Sequence, residues 1–95
     1  MLDLIKTLIN DYISELNKGI AIESEVIYGE NKIEYALSND DYMASISVLS
    51  DYTYDFFVVE IMSDRTFMIK TKQFDNLDAL ITEIKSSILS FSEIK

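Results

Sequence analysis

The spacing of apolar residues changes from a helical period to a strand period and back again along the chain. The first stripe repeats every three or four positions, at Leu2, Ile5, Leu8, Ile9, Tyr12, Ile13 and Leu16. This period predicts an amphipathic helix over about residues 2–18, ended by Gly19. The last stripe has the same spacing, at Leu77, Leu80, Ile81, Ile84, Ile88 and Phe91. It predicts a closing helix over about residues 76–92, with Asp75 as its N-cap.

Between the two helices, apolar residues alternate with other residues, which is typical of strands. The alternation predicts five strands, at about residues 20–28, 32–38, 42–49, 53–62 and 65–73. The links between them are short, which favours antiparallel hairpins because a parallel connection needs a dozen or more residues. The predicted fold is α+β, a five-stranded antiparallel β-meander with an N-terminal and a C-terminal helix packed on one face. Its 95 residues form a single domain, 1–95.

The fourth strand, within SDYTYDFFVVEIMSD at residues 50–64, is apolar on both of its faces. The third strand alternates clearly, with Tyr42, Ala44, Ile46 and Val48 on the face that meets the helices. Hairpin pairing then places Tyr54, Phe56 and Val58 on that inner face. The outer face receives Asp55, Phe57, Val59 and Ile61 beside Met43, Leu49 and Met68, with Lys70 and Lys72 toward one edge. A shift of one residue in the register would reverse this assignment.

An apolar patch with a polar rim often marks a binding surface. Three acids, Glu23, Glu25 and Glu34, are predicted on the outer face toward the first strand. The predicted partner-binding residues are Glu23, Glu25, Glu34, Met43, Asp55, Phe57, Val59, Ile61 and Met68. The alternatives are a homodimer mate or a C-terminal tail that covers this face, or a strand that simply exposes a few apolar side chains.

The net charge of −9 is concentrated in the middle of the chain, where residues 22–64 hold ten acids and one lysine. Such a surface repels phosphates, so we expect no direct binding to nucleic acid or to an anionic membrane. It attracts basic partners. The alternative is that the acids only keep a small domain in solution.

The chain contains no histidine and no cysteine. It therefore lacks the commonest general base and the thiolate metal ligands, and we predict no catalytic site, no metal and no cofactor. Three pairs of acids could supply oxygen ligands to a metal: Glu23 with Glu25, Asp40 with Asp41, and Asp51 with Asp55. Neighbouring acids are, however, usually a solvated face. The chain also shows no signal-peptide pattern and no membrane-spanning run, so we expect a cytoplasmic location.

The stretch YMASISVLSDYTYDFFVVE at residues 42–60 resembles the TriTu-type immunity proteins of bacterial polymorphic toxin systems. Members of that family show a Y-x-A-x-I-x-V-W strand, a turn, and a D-x-x-V-x-D/E strand. The matching residues here are Tyr42, Ala44, Ile46, Val48, Asp55, Val58 and Glu60. The later KQFDNLDALITEI resembles the family's entry into its closing helix, through Phe74, Asp75 and Leu80. Leu49 stands where a tryptophan is usual, Tyr52 where a turn glycine is usual, and Phe57 where a polar residue is frequent.

The resemblance implies a non-enzymatic immunity protein that binds and neutralises a cognate toxin. A nuclease with a basic cleft is one class of toxin that the acidic charge would suit. The chain would act as a monomer or a homodimer. Two other functions remain open at this point: a small structural or homo-oligomeric domain, and an acidic nucleic-acid mimic that inhibits another enzyme.

Overall fold

A computed structural model describes residues 1–94 and confirms the predicted α+β fold. The predicted single domain covers residues 1–95, of which Lys95 lies outside the described residues. The elements in chain order are α1 (Leu2–Leu16), β1 (Ala21–Tyr28), β2 (Lys32–Ser38), β3 (Tyr42–Leu49), β4 (Thr53–Glu60), β5 (Thr66–Gln73) and α2 (Leu77–Ser92). The five strands form one antiparallel sheet in the order β1-β2-β3-β4-β5.

The hydrophobic core lies between one face of the sheet and the two helices. The helices contribute the buried residues Leu2, Ile5, Ile9, Ile13, Leu80, Ile84, Ile88 and Phe91. The three central strands contribute Ile33, Tyr35, Leu37, Tyr42, Ala44, Ile46, Val48, Tyr54, Phe56 and Val58. Apolar area removed from water is the main favourable term in folding, so this layer fixes which face of each central strand points inward. Within residues 1–94, neither helix has the length and apolar character needed to cross a lipid bilayer.

The side chains in the second half of β1 point to the opposite face of the sheet from the one predicted, because the strand contains a β-bulge. Ile22 pairs with Leu37 but Ser24 pairs with Ala36, so Glu23 is an extra residue in the ladder. After the bulge every side chain of β1 changes face. Val26 and Tyr28 therefore point away from the helices, and Glu25, opposite Tyr35, points toward them.

The side chains of β5 also point to the faces opposite to those that the positions of its apolar residues predict. Met68 pairs with Val58 and packs against the core, whereas Ile69 lies on the opposite face and is 75% exposed. Lys70 lies on the helix side, where its Nζ is 2.8 Å from Glu83 Oε1 of α2. Because β5 is an edge strand, its inward side is partly polar, and the simple apolar alternation misleads.

The helix ends also depend on residues other than those predicted. Helix α1 ends at Leu16, and Asn17 rather than Gly19 takes the left-handed conformation next to it, with φ 49°. Helix α2 is capped by Asn76 rather than Asp75, because the Asn76 Oδ1 accepts a hydrogen bond from the Ala79 N–H at 2.8 Å. Asparagine suits both places, since it adopts left-handed backbone angles more readily than most residues and its short side chain reaches nearby amides.

Candidate functional site: the open face of the sheet

The face of the sheet opposite the helices is uncovered within residues 1–94, and we call it the open face. The strand pairings place on it Ser24, Val26, Tyr28, Lys32, Glu34, Ala36, Ser38, Met43, Ser45, Ser47, Leu49, Thr53, Asp55, Phe57, Val59, Thr66, Ile69, Thr71 and Gln73. The two-layer architecture, one sheet and one layer of helices, explains this exposure. Both helices pack on the inner face, so nothing in the described chain is left to cover the other.

One corner of the open face is apolar, and we call Met43, Phe57, Val59 and Ile69 the apolar corner. Met43 pairs directly with Val59, and Phe57 pairs directly with Ile69. Side chains of direct cross-strand partners touch, so the four residues form one continuous surface. Phe57 is 41% exposed although the neighbouring Phe56 is only 1% exposed. The strand alternation therefore separates two adjacent phenylalanines into a core residue and a surface residue.

The apolar surface continues past the end of β4 into the turn before β5. Ile61 follows β4, and its N–H donates to the Asp41 carbonyl oxygen at 2.9 Å, which holds this turn beside the turn between β2 and β3. The next residue, Met62, is 90% exposed. A flexible thioether at this exposure is suited to adaptable contacts with another protein. The periodicity of the sequence does not predict Met62 and Ile69 as surface residues, although the Ser63 and Asp64 pair after Met62 indicates an exposed turn.

Five of the nine residues predicted to bind a partner lie on the open face, as expected, while partner binding itself stays a prediction: Glu34, Met43, Asp55, Phe57 and Val59. Ile61 extends this surface in the adjoining turn. The outer placement of Met68 is wrong, since it packs against the core. The outer placement of Glu25 is wrong as well, because the bulge turns it inward. Glu23 occupies that bulge and is exposed.

Glu25 takes part in a hydrogen-bond network under α1 rather than in the open face. Its Oε2 accepts from the Tyr35 hydroxyl at 2.7 Å and from Asn10 Nδ2 at 3.0 Å, and its Oε1 lies 3.4 Å from Lys6 Nζ. The hydrogen bond from Tyr35, followed by that from Asn10, lowers the pKa of the Glu25 carboxyl. Burial, with the nearby carboxylate, raises the pKa of Tyr35. The network joins α1, β1 and β2, so its role is structural.

Most acids of the middle segment lie at the ends of the sheet rather than on its open face. Asp40 and Asp41 are in the turn between β2 and β3, and Asp64 is in the turn between β4 and β5. These two turns meet at the same end of the sheet. On the open face itself, the strands place the carboxylates of Glu34 and Asp55 and the ammonium of Lys32. The open face is therefore less acidic than the chain as a whole, and the strongest negative charge borders it.

Two cavities lie away from the open face. One of about 340 Å³ lies beside the start of α1 and is lined by residues that include Asp3, Ile27 and Glu30. Another of about 280 Å³ is a shallow groove between α1 and Lys85 of α2. Among residues 1–94 no three His, Cys, Asp or Glu side chains are grouped so that they could hold a metal ion.

The chain matches no family model, no curated protein and no solved structure. These comparisons identify no family for the chain.

Proposed function

We propose that this chain is a non-enzymatic immunity protein, which binds a cognate bacterial toxin through its open face and neutralises it. The observation that carries the proposal is the apolar corner. Phe57 and Ile69 are large, apolar, adjacent and substantially exposed on a sheet face that nothing in the described chain covers. Interfaces are commonly centred on such aromatic and aliphatic anchors, surrounded by a polar rim.

The charge distribution supports a basic partner. Acids in the two joined turns border the apolar corner, and the chain carries a net charge of −9. Such a surface accelerates association with a positively charged protein, while the apolar contacts slow dissociation. A nuclease with a basic cleft has this chemistry, and blocking its cleft needs neither turnover nor a cofactor. A cytoplasmic location, in which a toxin would meet its inhibitor before doing damage, belongs to the same proposal.

The first prediction tests Phe57 as an anchor of the complex. We expect Phe57→Asp to weaken the complex with the toxin by about 30-fold or more, because removal of a central aromatic anchor typically costs at least about 2 kcal/mol. The binding constant is measured by calorimetry with the purified toxin, together with recovery of toxin activity. Far-UV circular dichroism and a thermal melt of the variant should match the wild type.

Two control variants make this result specific. Leu89→Asp places the same charge at an exposed apolar residue of α2, on the helix side, and should leave the affinity unchanged. Phe56→Asp places it in the core and should prevent folding. Equal loss of affinity for the Leu89 and Phe57 variants would show that the open face is not the contact surface.

Two further outcomes would replace the proposal with another function. A stable homodimer in sedimentation, abolished by Phe57→Asp, would show that the open face pairs with a second copy of this chain. A complex that dissociates in moderate salt but is insensitive to Phe57→Asp would indicate an acidic nucleic-acid mimic, since such an inhibitor depends on its carboxylates.

A further inference from the structure

The middle of the open face contains a buried hydroxyl group with no hydrogen-bond partner. Ser47 is 8% exposed, and its Oγ makes no hydrogen bond within residues 1–94. The register of β3 directs this side chain to the open face, between Glu34 of β2 and Asp55 of β4. We call Glu34, Ser47 and Asp55 the central row. An unpaired buried polar atom destabilises the free protein, and a ligand that pairs with it removes that cost.

The two carboxylates of the central row can act on one cation. Each is the direct cross-strand neighbour of Ser47, at a Cβ separation of about 5 Å. Glu34 Oε1 lies 3.0 Å from Lys32 Nζ, and Asp55 Oδ1 accepts from the Thr71 hydroxyl at 2.6 Å. The pKa of Lys32 is raised, chiefly by its hydrogen bond to Glu34 and in smaller part by the charge of Asp55. Lys32 thus shows that a cation beside the central row is stabilised mainly by Glu34, with a smaller contribution from Asp55.

We propose that the central row binds the guanidinium group of an arginine from the protein partner, with Glu34, Asp55 and Ser47 Oγ accepting its hydrogen bonds. This inference rests on the proposed function, because it assumes that the open face meets a protein. It adds the chemistry of the partner group and the residues that receive it. Small rotations of the neighbouring side chains would open the path to the Ser47 hydroxyl.

Arginine suits this row better than lysine. A guanidinium presents five N–H groups in a planar fork, so it can serve two carboxylates and a hydroxyl together, whereas an ammonium has three donors around a compact charge. The weaker hydration of arginine also favours a site beside apolar residues. Phe57 is two residues from Asp55 on the same face, where its ring can contact the guanidinium plane.

The test uses the blocked amino acid N-acetyl-arginine-methylamide as a probe of the full chain. The ¹⁵N-labelled protein is titrated with the probe, and the dissociation constant is obtained from amide shifts. We expect the shifts to centre on Glu34, Ser47 and Asp55, and N-acetyl-lysine-methylamide to bind more weakly. We expect the double variant Glu34→Gln with Asp55→Asn to weaken arginine binding by about tenfold, or about 1.4 kcal/mol.

A matched variant controls for the loss of two charges. Asp11→Asn with Glu15→Gln makes the same change in net charge on the exposed surface of α1, away from the open face, and should leave the dissociation constant unchanged. Shifts spread over the turn acids, or equal weakening by both double variants, would overturn the inference. Equal binding of the lysine probe would overturn the choice of a guanidinium.

Ser47→Ala separates binding from folding. The variant removes the unpaired hydroxyl, so it should raise the free energy of unfolding of the free protein while it weakens arginine binding. If Ser47 only supported the fold, its replacement would not raise the free energy of unfolding and weaken arginine binding at the same time. Unchanged arginine binding in this variant would show that the Ser47 hydroxyl takes no part in binding the guanidinium.

Failure of this inference can be told apart from failure of the proposed function. If the toxin binds the wild type and the Glu34/Asp55 double variant with equal affinity, the arginine site is wrong and the immunity function stands. If the probe binds the central row but the chain neither binds nor inhibits the toxin, the arginine site stands and the immunity function is wrong.

Discussion

At the scale of single residues, Glu25 shows how a carboxylate becomes part of the fold. Its oxygens are placed under α1, where a phenol from β2 and an amide and an ammonium group from α1 approach it. Hydrogen bonds to the charged form stabilise the carboxylate relative to the acid, which is why its pKa falls below the ordinary value of 4.5. A group with a lowered folded-state pKa adds stability above the unfolded pKa, and that stability is lost as the pH falls through the folded pKa.

The second prediction follows from this linkage. At pH 7, Glu25→Gln should lower the free energy of unfolding by about 1 kcal/mol, since it weakens charge-assisted hydrogen bonds. The difference between variant and wild type should shrink as the pH falls from about 4.5 through the lower pKa of the folded protein, because the wild-type carboxylate takes up its proton over that range. Urea unfolding curves at several pH values provide the measurement. Glu23→Gln, in the exposed bulge two residues away, should stay within about 0.5 kcal/mol of wild type at every pH.

At the scale of elements, the start of α2 depends on one side chain out of two similar candidates. Asp75 and Asn76 are adjacent, and both residue types are good N-caps. Asn76 has an extended backbone, with φ −151° and ψ 165°, and its Oδ1 accepts the hydrogen bond from the Ala79 N–H. The helix carries five buried residues, including Leu80 and Phe91, so fraying at its start weakens the core.

The third prediction compares these two neighbours. We expect Asn76→Ala to lower the free energy of unfolding by about 1 kcal/mol, because an amide of the first turn loses its partner. Asp75→Ala should cost less than about 0.5 kcal/mol, and Asn76→Asp should restore most of the loss. Chemical denaturation of the three variants measures the differences. A larger cost for Asp75→Ala than for Asn76→Ala would mean that the helix begins one residue earlier.

At the scale of the whole molecule, negative charge is concentrated where two turns meet. Asp40, Asp41 and Asp64 lie at one end of the sheet, joined through the Ile61–Asp41 hydrogen bond. Two like charges about 8 Å apart in water repel by about 0.5 kcal/mol, and salt screens this repulsion. The free protein therefore keeps an unfavourable term that a basic partner would relieve on binding.

The fourth prediction is the salt dependence that this repulsion causes. Asp40→Asn with Asp41→Asn should raise the free energy of unfolding by about 0.5 kcal/mol in dilute buffer and by clearly less in about 0.5 M NaCl. Each kcal/mol would appear as about 4–8 °C in the Tm of a domain of this size. A gain that is the same at both salt concentrations would point to a local change in the turn instead of a relief of repulsion.

The periodicity of the sequence by itself determined the order of the elements, the antiparallel meander and the inner face of the central strands. The clear alternation of β3 and its short hairpins placed Phe56 in the core and Phe57 on the surface, because local pairing then leaves a single register. Only the tertiary structure decided which face of the sheet the side chains of the two edge strands point to.

The edge strands escaped prediction for a physical reason. Each edge strand pairs with only one neighbour and buries little apolar area, so these two factors do not fix which face its side chains point to. Other interactions decide that orientation. In β1, a bulge at Glu23 turns Glu25 inward to partners that come from α1 and β2. In β5, pairing with β4 directs Met68 to the core, although the apolar residues on either side of it, Phe67 and Ile69, favour the opposite face. The isolation of the Ser47 hydroxyl likewise depends on side chains from neighbouring strands, which no periodicity within one strand records.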